Sequence, residues 1–319
     1  MRILTSYRLA GTRSFRRAAG KLFGEWGVQL QNPDKHTMDI FASMPGYSIV
    51  QADQSGAEAL IVANIAPRKG ALYELFAVNI KPHTYMAMRL FPEELDTAGI
   101  LDLAPTELTK LDDWKAINKR VKNSGKPYDI GKRVVHASNY RMGPNTFRTS
   151  ALVQSGGKLV LTRDQCIDYL QTFKHTFPEV IEWQDEIEIE INRRRVLRNL
   201  FNHPRRFNRI ITPGYIREGI SFIPQSTVGE ITRRAFVLLQ DVIDKDFPRW
   251  SICSDKHDSA AVMVPDEDVM TAGRLLKSLM RVTLPGRFGD FVMNSEVQAG
   301  KNWQPFSEHN PAGMKEIEV

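Results

Sequence analysis

The segments of this sequence that resemble β-strands stand near its two ends, and a long helical stretch separates them. YSIVQAD at 47–53 predicts a buried strand, because it is a short and largely apolar run. RWSICS and SAAVMVP flank the polar tetrad 255–258 with the pattern of a β-hairpin, and FVMNSEVQAG at 291–300 predicts a last strand. Early and late strands that share one sheet must bring both chain ends together. The sequence therefore predicts an α+β fold, with a small antiparallel sheet and packed helices in one domain and a helical domain inserted into it.

Helical periodicity fills the rest of the chain. Helices are predicted directly after the first strand up to Pro67, then over 106–122, 128–142, 163–196 and 226–244, and from an N-cap at Asp266. Ser55 and Glu58 have the spacing of a capping box, which explains both residues without any function. That local explanation does not cover Asp53.

Positive charge is concentrated in two stretches of the 319 residues, whose formal net charge is +6. Residues 1–38 hold seven basic and two acidic residues, and 191–217 holds eight arginines and no acid. Aromatic and amide side chains are interleaved in both, which favours a nucleic-acid partner over two merely solvated basic faces. Two cysteines far apart in sequence, and no apolar run long enough for a membrane or a signal peptide, lead us to expect a cytoplasmic protein without a membrane partner.

Two aspartates stand where strands are predicted to end. Asp53 lies between a strand and a helix, where a carboxylate can hold a hard cation such as Mg²⁺. Asp258, after His257, falls in the turn of the late hairpin, where a plain turn aspartate is the ordinary alternative. Two carboxylates at strand ends of one split domain are what a two-metal phosphoryl-transfer site requires.

A third group follows helical spacing. Lys132, His136 and Tyr140 are four residues apart, so they share one face of a helix that could line a triphosphate, a sugar and a base. A basic amphipathic helix without such a role is the alternative. His83 begins another helix, and a lone histidine is usually structural. The sequence has no zinc-type Cys/His spacing, no glycine-rich phosphate loop and no G-x-S-x-G elbow.

Taken in order, these segments resemble the polymerase domain of family A DNA polymerases, the bacterial DNA polymerase I type, and its phage members in particular. QADQSGAEALIVA is similar to the palm motif D-x-S-x-x-E, GKRVVHASNYRM to the fingers-helix motif and KHDSAAVMVP to the late palm motif. Four weaker similarities lie in the same order: AGTRSFRR, VQLQNP, PQSTVGE at a helix start, and GKNW.

The resemblance implies a role for each matching residue. Asp53 and Asp258 would bind two Mg²⁺ ions, which Mn²⁺ can replace, and Glu58 would exclude a 2′-hydroxyl. Lys132 and His83 would contact the triphosphate, His136 would sense the 3′-hydroxyl and Tyr140 would stack near the nascent pair. The DNA contacts would come from Arg16, Gln31, Asn32, Gln225 and, at the primer terminus, His257.

The sequence departs from the family pattern at four places. One is the T-G-R triplet, which reads Ser14-Phe15-Arg16 here. Tyr128 replaces an arginine, so one triphosphate contact is missing or is supplied by Arg133. Arg141 replaces the glycine after the tyrosine, and Ser259 stands where many relatives have glutamate. These departures concern rate and nucleotide affinity more than the type of reaction.

We therefore expect a DNA-templated DNA polymerase that adds dNTPs to a primer on primer–template DNA. The palm would comprise 1–75 and 220–319, and the fingers 76–219. Thumb and exonuclease segments precede the first matched motif in relatives, so we expect a C-terminal portion that a separate chain could complement. The alternatives are a degenerate palm that binds DNA without synthesis and a single-subunit RNA polymerase. A phage origin would place the protein in the host cytoplasm.

Overall fold

The protein is described by a computed structural model that covers residues 6–8, 18–20, 35–54, 56–256 and 258–319. The strands are β1 Ser6–Arg8, β2 Ala18–Gly20, β3 Tyr47–Asp53, β4 Val196–Arg198, β5 Pro204–Arg206, β6 Ser251–Lys256, β7 Ser259–Pro265, β8 Val282–Leu284, β9 Phe291–Met293, β10 Glu296–Gly300 and β11 Lys315–Glu316.

Helices make up most of the chain between β3 and β6. The α-helices are α1 Ala57–Ile65, α2 Ala71–Ala77, α3 Pro82–Leu90, α4 Pro105–Leu108, α5 Trp114–Lys122, α6 Lys126–Asn139, α7 Pro144–Gln154, α8 Arg163–Thr176, α9 Pro178–Arg194, α10 Pro213–Asp246 and α11 Val269–Met280. Short 3₁₀ helices span Lys35–Ile40, Ala98–Ile100 and Asp266–Asp268.

One antiparallel sheet of five strands brings the two ends of the chain together. Its order is β11-β10-β3-β7-β6, so the early strand β3 lies between two late strands. The other described strands form three two-stranded pairs: β1 with β2, β4 with β5, and β8 with β9. The expected α+β architecture, with a small antiparallel sheet, is confirmed.

Three of the hydrophobic clusters in the described part of the chain share the long helix α10. The largest is built mainly from α1 to α10 and includes Ile220 of α10. A second cluster, which includes Ile231, joins α10 to α1 and the β8–β9 pair. A third covers one face of the five-stranded sheet with α11 and the last turns of α10, including Leu239. Pro224 lies inside α10 between the first and second of these contacts.

The strands predicted at 47–53 and around the late hairpin are confirmed. The hairpin turn is shorter than predicted, because β6 extends through Lys256 and pairs it with Ser259. The predicted strand 291–300 was wrong in part: β9 and β10 are two strands that belong to different sheets.

Several predicted helix bounds were also wrong. The segment 163–196 is two helices, since Pro178 starts α9 after a break at Phe177. The segment 106–122 is the two helices α4 and α5, and α10 starts at Pro213 instead of 226. The motif PQSTVGE therefore lies within a helix and not at its start. Asp266 opens a 3₁₀ turn, and Asp268 is the N-cap of α11.

Among the described helices, none combines the length and the apolar content that crossing a bilayer would need.

Candidate active site

Asp53 is the last residue of the central strand β3 and has neighbours on both sides. Across the sheet it pairs with Glu296 on β10 and with Ser259 on β7. Residues directly opposite in antiparallel strands project from the same face of the sheet. The end of the sheet therefore presents a row of two carboxyl groups and one hydroxyl group.

Asp258 lies beside this row, in the turn between β6 and β7. The main-chain amide of Gln54, the residue after Asp53, donates a hydrogen bond of 3.0 Å to the carbonyl oxygen of Asp258. The structure thus brings the two predicted aspartates to the same end of the sheet. His257, between Asp258 and β6, lies outside the described residues.

A pair of carboxylates is a donor set that suits a hard cation whose other ligands come from water and from a substrate. Among the residues that the structure describes, no three His, Cys, Asp or Glu side chains are grouped so that they could hold a metal ion. Mg²⁺ commonly binds through one or two carboxylates, with water and substrate phosphates completing its octahedron. Asp53 is half-buried and Asp258 is exposed, so both carboxylates lie close to solvent.

The GKNW segment supports the strand that carries Asp53, a role the sequence motif did not reveal. The indole N–H of Trp303 donates to the side-chain oxygen of Gln51, two residues before Asp53 on β3. A Cβ atom at Gly300 would lie 2.6 Å from the main chain of Gly313, so only glycine fits there without displacing that segment. Asn302 exchanges side-chain hydrogen bonds of 2.9 and 3.0 Å with Asn310. These contacts hold the C-terminal segment against the sheet.

Helices α3 and α6 approach closely at Gly131. A Cβ atom at this position would lie 2.7 Å from the carbonyl oxygen of His83 and 2.9 Å from the amide nitrogen of Ala87. The missing side chain lets the first turn of α3 rest on α6. The ring of His83 consequently meets the ring of Tyr128, edge to face, with centroids 5.1 Å apart.

His83 is neutral at physiological pH. Burial, and to a smaller extent the positive charges of Lys132, Lys81 and Lys122, together lower its pKa to about 4. The predicted nucleotide ligands Lys132 and His83 therefore lie close enough to influence each other. His83 can contact a phosphate through an N–H group but adds no charge.

The exposed face of α6 carries Lys132 and His136, as the spacing predicted. Both line a cavity of about 330 Å³ between α6 and α7. Tyr140 is the C-cap of α6, and its ring meets that of His136 with centroids 5.3 Å apart. Arg133 also lines the cavity, where it pairs with Asp129 at 3.1 Å and donates to Gln154 at 3.0 Å. Arg133 is therefore engaged by its neighbours, which weakens it as the replacement for an arginine at position 128.

The remaining predicted residues are more scattered. Glu58 lies in the first turn of α1, whose N-cap is Gly56 and not the Ser55 of the expected capping box. Gln225 is half-buried in α10, directly after Pro224. Arg16, Gln31, Asn32 and Ser55 lie outside the described residues.

The arginine-rich stretch 191–217 forms the end of α9, the β4–β5 hairpin and the start of α10. Arg205 has a structural role: it pairs with Glu218 at 2.7 Å, and its side chain is only 10% exposed. Exposed arginines in the same stretch, such as Arg206 and Arg209, are accessible to a polyanion. The charge of this stretch is therefore only partly available for binding.

The sequence and the fold are both similar to those of DNA polymerases. No family model matches the chain. The sequence is 24% identical to DNA polymerase I of Chloroflexus aurantiacus (strain ATCC 29366 / DSM 635 / J-10-fl) over 322 aligned residues, which are 96% of this chain and 29% of that protein.

The fold is similar to that of a solved polymerase domain. The polymerase domain of Pol1 from M. smegmatis, solved in complex with DNA primer-template and dNTP, superposes with a TM-score of 0.69 at 15% identity. The match covers 95% of this chain and 48% of that structure, so the chain spans less than half the length of each protein compared. The chain has the fold of a DNA polymerase domain and resembles the palm and fingers region of family A DNA polymerases.

Proposed function

We propose that this chain catalyses the DNA-templated addition of dNTPs to the 3′ end of a primer. One observation carries the proposal: the hydrogen bond from Gln54 to Asp258 brings Asp258 beside Asp53 at one end of the five-stranded sheet. The relatives support it, since one is a DNA polymerase I and the other was solved with primer-template DNA and dNTP.

In this proposal the sheet end provides the negative charge of the site. Asp53 and Asp258 would hold two Mg²⁺ ions, which Mn²⁺ can replace. When bound, such ions stabilise charge on the attacking and leaving oxygens of an in-line displacement. Strand pairing holds the main chain at Asp53, and the hydrogen bond from Gln54 holds the main chain at Asp258, so both residues would need little reorganisation when a nucleotide arrives.

The helical side of the site would recognise the nucleotide. Lys132 is exposed on α6 and would neutralise triphosphate charge, while neutral His83 would donate a hydrogen bond to the same group. His136 and Tyr140 would face the sugar and the nascent pair, and Glu58 on α1 would exclude a 2′-hydroxyl. Primer and template contacts are proposed for Gln225 and, outside the described residues, for Arg16, Gln31, Asn32 and His257.

We also propose the domain boundaries that the motifs suggest. The palm would comprise 1–75 and 220–319, and the fingers 76–219. The sheet cluster supports the palm, because all its members, from Val50 to Val297, lie within 1–75 and 220–319. The largest cluster crosses both boundaries, from Val62 to Ile223, so the palm and the fingers would share it.

A primer-extension assay tests the function. Purified chain is mixed with primer–template DNA and Mg²⁺, and then with dNTPs or rNTPs in separate reactions. We expect extension with dNTPs and much less with rNTPs. Binding of DNA without extension would favour a degenerate palm, and extension with rNTPs in preference to dNTPs would favour a single-subunit RNA polymerase. Either result would contradict the proposed activity.

A further inference from the structure

Helix α6 ends in a turn whose key residue is unusual. The amide of Arg141 donates to the carbonyl of Ser138 at 3.1 Å, and that of Met142 donates to Ala137 at 3.0 Å. These two bonds are those of a Schellman motif, which places its C′ residue in the left-handed region and strongly favours glycine there. Arg141 occupies that position with φ 53°, and it is the residue that replaces a glycine in the resembling motif.

The arginine side chain ties this turn to the neighbouring helix α9. Its guanidinium group forms ion pairs with Asp185 and Glu188, one α9 turn apart, and is about one third exposed. One residue before Asp185, the side-chain amide of Gln184 donates to the carbonyl of Ser138 at 2.7 Å. Helix α9 therefore contacts the last turn of α6 in two ways. Gln184 binds the main-chain carbonyl of Ser138, and two α9 carboxylates bind the side chain of Arg141.

The last turn of α6 also carries the proposed nucleotide-facing residues. Tyr140 is the C-cap, next to Arg141, and its ring contacts His136 one turn earlier. The Tyr140 hydroxyl is buried, and no hydrogen-bond partner for it is found in the described part of the chain. The orientation of the Tyr140 ring thus depends on the main chain of this turn and on packing.

We propose that Arg141 is a positioning residue that fixes the last turn of α6 against α9, so that Tyr140 and His136 are preorganised for the incoming nucleotide. The proposal rests on the function proposed above. A glycine at this position would satisfy the same main-chain cap but would leave, of these contacts between the turn and α9, only the Gln184 hydrogen bond. Fixing a binding residue before the ligand arrives lowers the entropic cost of binding, so the tie should act mainly on the KM for dNTP.

Two variants and one matched control separate the tie from general stability. Arg141→Gly removes both ion pairs while suiting the left-handed turn, and the double variant Asp185→Asn/Glu188→Gln removes them from the α9 side. Glu182→Gln is the control, because Glu182 is an α9 carboxylate that pairs with Arg68 and not with α6. Each protein is examined by primer-extension kinetics and by hydrogen exchange at the amides of 141 and 142.

We expect both variants to raise the KM for dNTP about tenfold, with kcat changed by less than about threefold, and to speed exchange at the two amides about tenfold. Glu182→Gln should change neither quantity. A KM within about twofold of the wild type in both variants, or unchanged exchange, would overturn the proposal. If the wild-type chain extends no primer, the proposed function fails, and the exchange of the two amides alone decides whether Arg141 holds the turn.

Discussion

The sheet end and helix α6 contribute to the candidate site in different ways. Asp53 and Asp258 are distant in sequence and meet only because β3 and β7 pair in one register. Lys132, His136 and Tyr140 are one helical turn apart, so their common face needs only local structure. The acidic half of the site therefore depends on the tertiary fold, whereas the basic half depends on one helix and on what rests against it.

This difference predicts different responses to substitution. A side-chain change at the sheet end alters chemistry while the main-chain pairing keeps the geometry. A change along α6 alters charge or the approach of α3, and its effect is graded. The predictions below separate these two behaviours, beginning with the largest expected effect.

Removing either aspartate should nearly abolish synthesis. Asp53→Asn or Asp258→Asn should lower the rate of primer extension about 10³-fold, because each would leave one metal without its carboxylate. DNA affinity and the free energy of unfolding should change little, since the strand pairing is made by the main chain. Asp241→Asn, at an exposed position of α10, is the matched control. Near-normal extension by either site variant would remove the sheet end from the mechanism.

The buried His83 should make stability depend on pH. Its folded pKa is about 4, against an ordinary value of 6.5, so the unfolded chain binds more protons between these values. The contribution of neutral His83 to the free energy of unfolding is therefore complete above about pH 6.5 and is lost as the pH falls towards 4. The loss is at most about 3 kcal/mol. His83→Gln should flatten this part of the curve, as measured by chemical unfolding at several pH values. His175→Gln, at an exposed position of α8, should leave the curve as it is; the same flattening in both variants would contradict the assignment.

Lys132 should act on the nucleotide and not on the DNA. Lys132→Ala should lower kcat/KM for dNTP about 10²-fold, because a charge aimed at the phosphates gains strength as the transfer proceeds. DNA affinity should stay within about twofold, since the helix is not expected to bind the duplex. The His83 pKa should rise from about 4 when the neighbouring charge is removed, which NMR titration can measure. Lys158→Ala provides an exposed control, and a collapse of DNA affinity in Lys132→Ala would show that α6 binds the duplex instead.

Gly131 tests the contact between α3 and α6. Gly131→Ala should destabilise the protein by about 2 kcal/mol, because its Cβ would meet main-chain atoms of His83 and Ala87. Gly99→Ala is the control, as no atom outside its immediate neighbours lies within 4 Å of the Cβ that it would add. Equal unfolding free energies for the two variants would mean that the helices do not meet this closely in solution.

The sequence predicted local features better than distant contacts. The strand 47–53 was predicted with correct bounds because its apolar run is short and ends at a polar segment. The start of α10 was missed, since Gly219 and Pro224 interrupt the helical pattern; yet Gly219 fits where Ile191 and Leu197 crowd the helix. No spacing rule could place Glu296 beside Asp53, because strand register is not visible in the sequence.

The departures from the family pattern show the same limit. Arg141 looked like the loss of a glycine, and its ion pairs with α9 became visible only in three dimensions. Tyr128 looked like the loss of a charge, but its ring packs against His83. In both cases the partner lies on another helix, and a motif compared one position at a time cannot reveal it.

Helix α10 should make three of the hydrophobic clusters unfold together. Its 34 residues contribute to all three, so none of these clusters can lose its packing without exposing part of a helix that the other two also need. Pro224 has no N–H group and cannot donate the helical hydrogen bond to the preceding turn, so α10 is weakest at this residue. Heating should therefore give a single cooperative transition in calorimetry. Bending of α10 should be concentrated at Pro224.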